Sequence, residues 1–152
     1  MHSLARRTAR LLTIMAIAAA LQVSVTAQKV NQGWTGLAVK GYDVVAYFTA
    51  GAPVKGDEAY ATVHEGVTYR FASAANRDAF VKEPGRYVPQ FGGFCAYAVS
   101  RNYTADIDPT AWRVVDGKLY LNYNARAQAK WAEDVPGNIT KGHANWPALA
   151  KK

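Results

Sequence analysis

The chain has 152 residues, half of them hydrophobic and 19% charged, with a formal net charge of +7. That length suits one domain with a substantial core. The basic residues form no run, which argues against nucleic acid as a partner, and a single cysteine excludes a disulfide within the molecule.

Residues 1–27 have the pattern of a secretory signal. Arg6, Arg7 and Arg10 precede an apolar stretch from Leu11 to Val25, and Val25-Thr26-Ala27 offers small residues for cleavage before Gln28. The stretch is short for a membrane span, so the expectation is export to a bacterial periplasm, with no stable membrane insertion after the signal is removed. Losing those three arginines lowers the net charge from +7 to +4, so much of the basic character belongs to the signal. All nine tyrosines, four tryptophans and five phenylalanines remain, enough for a core and for an aromatic-lined pocket.

Residues 28–40 read as a lead-in, and 41–150 as a single domain. Gly41-Tyr42-Asp43-Val44-Val45-Ala46-Tyr47-Phe48 suits either a strand or a short helical turn. Tyr60–His64 and Val67–Phe71 then form a hairpin across Glu65-Gly66, where glycine supplies a positive φ. Ser73 caps a helix from Ala74 toward Glu83, ended by Pro84-Gly85. The near-continuous apolar run Phe94 to Val99 predicts a short strand buried on both sides, with Cys95, Tyr97 and Val99 on one face. Trp112–Val115 and Lys118–Tyr123 flank Asp116-Gly117 as a second hairpin, and Asn124 caps a helix from Ala125 toward Pro136-Gly137. Asn138 to Trp146 predicts a short helix with Ile139, His143 and Trp146 on one stripe. Superposing Gly66 on Gly117 brings Tyr69 onto Tyr120, Ala74 onto Ala125 and Phe80 onto Trp131, a pseudo-duplicated hairpin-then-helix unit. The expected class is α+β: a small, mainly antiparallel sheet built from two such units, with helices packed on it.

Cys95 is the residue with the most chemistry to offer. Free cysteine often packs as a small hydrophobe, yet an accessible thiol without a partner is a liability in an oxidising compartment. Gly92 and Gly93, just before it, could open space or present N–H groups to a thiolate or an anion. His143 and, after it, His64 are the candidate imidazole ligands, and thiolate with imidazole suits copper(I) or zinc. No CxxC or HxxxH spacing reinforces a metal site. Tyr97, Tyr42 and Tyr47 are candidate pocket walls. Asp43, inside an apolar run, must find partners if buried and otherwise serves as a cap or turn acceptor; Asp106 and Asp108 read as loop residues. No serine-nucleophile motif, phosphate loop or dinucleotide fingerprint occurs, so no nucleotide or organic cofactor is expected.

Tyr69-Arg70-Phe71-Ala72-Ser73, Asn76-Arg77, Phe80, Pro84 and Tyr87 resemble the YHS domain. Gly41 to Phe48, Gly92 to Ala98 and Asp116 to Tyr123, with Trp131 and Asn145-Trp146-Pro147, extend the resemblance to exported bacterial YHS-domain proteins over nearly the whole chain after the signal. The resemblance implies no settled activity. It implies a link to metal handling, and a selenocysteine in some similar proteins at the place of Cys95, which favours a ligand or nucleophile there. Metal-linked YHS modules often carry a cysteine near the aromatic hairpin, and this chain has none there. The expected function is a periplasmic accessory protein that binds a soft metal, copper before zinc, or performs thiol redox chemistry through Cys95. Its partners would be a metal ion or small molecule and a periplasmic protein. The alternative is a non-catalytic module whose aromatic groove holds a small ligand or a protein, with Cys95 merely packed.

Overall fold

Both hairpins form, and their turns explain why. In the computed structural model, which describes residues 28–151, β1 (Asp57–His64) pairs antiparallel with β2 (Val67–Phe71), and β3 (Asp108–Val115) with β4 (Lys118–Asn122). Glu65 and Gly66 have φ of 51° and 78°, and Asp116 and Gly117 have 50° and 71°. Two left-handed central residues give the turn whose twist matches right-twisted strands. The hairpins remain separate two-stranded sheets, and the helices around them make the architecture α+β: α1 (Ala46–Thr49), α2 (Ala74–Lys82), α3 (Pro84–Tyr87), α4 (Ala96–Ser100), α5 (Ala125–Ala132) and α6 (Val135–Leu149). The expected signal, residues 1–27, lies outside the described residues. Among the described residues no helix is long and apolar enough to cross a membrane.

The likeness of the two halves runs well beyond the hairpins. Asp57 pairs with Phe71 and Asp108 with Asn122, and the same irregularity follows in both, between Asp57 and Ala61 and between Asp108 and Trp112. Asp57 Oδ1 accepts the Ala59 N–H at 2.8 Å, and Asp108 Oδ1 the Thr110 N–H at 2.8 Å. Ser73 caps α2 by accepting from Asn76 N–H at 3.1 Å, and Asn124 caps α5 by accepting from Ala127 N–H at 2.9 Å. Upstream, the tight turns Ala38–Gly41 and Gln90–Gly93 match as well. Val39 and Lys40 have φ of 49° and 53°; Phe91 and Gly92 have 56° and 60°. Each turn closes on itself, Tyr42 N–H donating to Val39 O at 3.0 Å and Phe94 N–H to Phe91 O at 3.1 Å. A short helix follows in each case, α1 or α4. The repeated unit is therefore turn, short helix, hairpin, capped helix.

The predicted strand at Phe94–Val99 is instead α4. After the left-handed turn no strand among the described residues pairs with this run, and a helical turn satisfies its own backbone, Val99 N–H donating to Cys95 O at 3.0 Å. A short apolar run looks the same to a periodicity argument in either state. Cys95, Tyr97 and Val99 thus do not share a strand face. The ambiguous segment Gly41–Phe48 resolves likewise into a turn and α1. The last helix is longer than expected, starting at Val135 with Pro136 in its first turn and Asp134 as its cap.

One apolar cluster joins Val44, Tyr47, Phe71, Phe80, Leu119, Leu121 and Cys95; a second joins Phe91, Val99, Tyr120, Trp131 and Trp146 beneath α6. The first cluster carries an alkaline liability. Tyr69 is buried, stacked 4.8 Å from Phe80, and its burial, with the Glu65 charge second, pushes its phenol up from 10.0 to about 12. Because the folded value is the higher one, the stabilisation is complete below pH 10 and is lost as pH rises through about 12. Two units correspond to about 3 kcal/mol. Denaturation midpoints measured between pH 9 and pH 12 should fall steeply, and Tyr69→Phe should flatten that fall; an unchanged slope in the variant would place the liability elsewhere.

Candidate functional site

The first half shows how the second is built. Asp43 is fully buried at the start of α1. Its Oδ1 accepts the Val45 and Ala46 N–H groups at 2.8 and 3.2 Å. Its Oδ2 accepts the Ala72 N–H at 2.9 Å and the Asn76 side-chain amide at 2.7 Å. Four donors converge on one carboxylate, tying α1 to the end of β2 and to α2, which is how a buried acid becomes tolerable. Its backbone N–H donates to Val54 O at 2.8 Å.

Cys95 occupies the corresponding place at the start of α4. Its N–H donates to Ala105 O at 3.0 Å, as that of Asp43 does to Val54. Its sulfur accepts the Tyr123 N–H at 3.3 Å, as the carboxylate accepts that of Ala72. The Tyr97 N–H, matching that of Val45, is taken at 3.0 Å by Asn122 Oδ1, which lies 3.6 Å from the sulfur and accepts its S–H. The duties of one carboxylate are divided between a thiol and a buried amide. Asn122 is fully buried, and its Nδ2 has no hydrogen-bond partner among the described residues.

Cys95 itself is 1% exposed, but it borders a cavity of about 340 Å³. Tyr97, Tyr103 and Tyr123 wall this cavity, and Ala127 lies on its α5 side with Arg126 and Lys130. Residues 126, 127 and 130 share one helical face by their spacing. The Arg101 guanidinium sits 5.3 Å over the Tyr97 ring and donates to its hydroxyl at 3.3 Å, which holds that wall in place.

Of the residues expected to gather here, Cys95 and Tyr97 do so. Tyr47 does not: it is buried 5.2 Å from Trp112 with its hydroxyl donating to Pro109 O at 2.8 Å. Tyr42 sits in a bridge with Lys55 beside the first hairpin. Gly92 and Gly93 serve a different approach. The Lys29 carbonyl lies where a Cβ on Gly92 would have to be. Asn31 N–H donates to Gly92 O at 2.8 Å, and Asn31 Nδ2 to Gly93 O at 3.2 Å, so the pair receives the lead-in segment and not the thiol.

The histidines lie apart from the thiol cavity. His64 packs edge-on to Phe80 at 5.6 Å and to Tyr69 at 6.2 Å. His143 meets Phe91 at 5.1 Å and borders a second cavity, of about 250 Å³, with Lys29, Glu65 and Trp146. Among the described residues no group of three or more His, Cys, Asp or Glu side chains could hold a metal ion. Asp106 is part of the lead-in's anchorage. Burial opposes its ionisation, but hydrogen bonds from Asn31, the Ile107 N–H and Lys40 outweigh it and hold the carboxyl below its usual value.

Asn122, Tyr123 and Ala127 were not singled out from sequence. Aligning Gly41-Tyr42-Asp43 with Gly93-Phe94-Cys95, a glycine and an aromatic in each, would have pointed to them. That alignment needs a one-residue gap before the hairpins, which a gapless superposition on Gly66 and Gly117 misses. Comparison with known proteins finds no matching family model, curated protein or solved structure.

Proposed function

We propose that the chain is an exported accessory protein, of the kind its resemblance to periplasmic YHS-domain proteins implies, and that its working group is the Cys95 thiol in the wall of the tyrosine-lined cavity. One observation carries this reading: the sulfur stands where the sister half holds a carboxylate, with a backbone N–H aimed at it, and it borders open space. A cysteine serving only as a small hydrophobe needs neither feature.

The chemistry best matched to one thiol is exchange with a small disulfide. The Cys95 sulfur attacks one sulfur of the incoming disulfide; that bond breaks as a new S–S bond forms to Cys95. The departing half leaves as a thiolate and takes up the proton Cys95 gives up. Resolution then falls to a thiol from outside, since the chain has no second cysteine. As a soft-metal site Cys95 would supply one thiolate, favouring copper(I) over zinc. The remaining ligands would come from a partner, because His64 and His143 are engaged elsewhere.

Folded protein at neutral pH should form one mixed disulfide per chain with an aromatic disulfide reagent, and Cys95→Ser should form none. Reaction only after denaturation would assign Cys95 to packing and leave the cavity as a non-covalent ligand site. One equivalent of copper(I) retained by the parent and lost in Cys95→Ser would move the assignment to metal.

A further inference from the structure

In the first half the group that meets the Asp43 carboxylate from α2 is a carboxamide, the Asn76 side chain at 2.7 Å. The equivalent residue on α5 is Ala127, which together with Cys95 lines the cavity. The second half therefore keeps the acceptor and its Tyr123 N–H but lacks the amide that completes the joint. The surroundings change in step. Ala72, Ala75 and Ala79 of the first half are replaced by Tyr123, Arg126 and Lys130, side chains long enough to enclose a guest. Beside the thiol, the buried Asn122 Nδ2 is a donor with no acceptor among the described residues.

We propose that this cavity is the vacated seat of a carboxamide, and that its ligand is a small molecule carrying a primary carboxamide on an aromatic body, with one amide N–H donated to the Cys95 sulfur. This deepens the cavity reading above by naming its ligand class, and it does not require the thiol to react. The three tyrosines supply faces for an aromatic ring. The cavity-lining sulfur is an acceptor, already taking the Tyr123 N–H, so this wall of the site calls for a donor, as the Asp43 carboxylate does in the sister half.

Ligand-observed NMR titrations of the folded protein with benzamide, acetophenone and benzoate test this. These probes share one ring and differ in what they bring to the sulfur. Benzamide should bind about tenfold more tightly than acetophenone, the worth of one hydrogen bond to a buried acceptor. Ala127→Asn should abolish benzamide binding, by seating the protein's own amide in the cavity. Thermal melts supply an independent reading: Cys95→Asp should lower the melting temperature, and adding Ala127→Asn to it should raise the temperature again by rebuilding the Asp43–Asn76 arrangement. Equal binding of benzamide and acetophenone, tighter binding of benzoate, or benzamide binding that survives Ala127→Asn would each overturn the proposal. Benzamide binding in a protein whose thiol stays unreactive would sink the exchange reaction and leave this inference standing.

Discussion

Replacing Asp43 by alanine should destabilise the protein by about 3–5 kcal/mol, the range for removing one partner from a buried, hydrogen-bonded charge. The side chain is fully buried and accepts four hydrogen bonds, from Val45, Ala46, Ala72 and Asn76. Alanine leaves those donors facing a void that water reaches poorly. A typical domain has only about 5–15 kcal/mol in hand, so this loss is a large share of the total. Asp43→Asn should cost less, because it keeps one oxygen, but its NH2 must face a donor that the carboxylate had accepted. Asn76→Ala removes only the last of the four bonds and should cost about 1–2 kcal/mol. The double variant Asp43→Ala/Asn76→Ala should cost less than the two single effects together, since both act on one network. Urea midpoints read with an unchanged m-value measure each of these. A value for Asp43→Ala within about 1 kcal/mol of the parent would show that the joint is not what holds α1 to the hairpin.

What the sequence disclosed was the local chemistry. Glu65-Gly66 and Asp116-Gly117 specify their turns, and Ser73 and Asn124 their caps, through bonds made within a few residues, so hairpins and capped helices could be read directly. The run Phe94–Val99 misleads for the complementary reason. Its apolar character reports burial, and burial is right for four of its six residues, but strand or helix was decided by the left-handed turn at Phe91-Gly92 and by the lack of a strand to pair with. The metal expectation joined Cys95 to His143 and His64 on ligand chemistry alone, which holds no information about distance. The cavity was hidden most deeply, because its defining feature is an ordinary alanine. Ala127 means something only beside Asn76, and the two are matched by position in a repeat whose halves have little identity and differ in length between the short helix and the hairpin. The residues that fix the thiol, Asn122 and Tyr123, are likewise brought to it by the end of β4 and not by sequence proximity.

Trp131 gives the second large effect, and the repeat says how to separate its causes. Trp131→Ala should cost about 3–5 kcal/mol, as expected for emptying a fully buried aromatic position. The ring stacks 5.2 Å from Tyr120 in the cluster that α6 covers, and Asn138 on α6 donates to the Trp131 carbonyl at 2.9 Å. Yet the indole N–H is buried without an acceptor among the described residues, a desolvation penalty of about 1–3 kcal/mol that any smaller apolar ring would relieve. The sister position is Phe80, which fills the same place among Tyr69, Phe71 and His64 with no polar atom to satisfy. Trp131→Phe should therefore lose ring contact and regain desolvation energy in comparable amounts, leaving stability within about 1 kcal/mol of the parent. The reverse change, Phe80→Trp, enlarges a site already closed by three rings and should cost about 1–3 kcal/mol. Denaturant midpoints in the order parent and Trp131→Phe together, then Phe80→Trp, then Trp131→Ala would bear this out. Trp131→Phe falling as far as Trp131→Ala would mean that the indole N–H has an acceptor after all, and that the two helices are not interchangeable at their shared aromatic position.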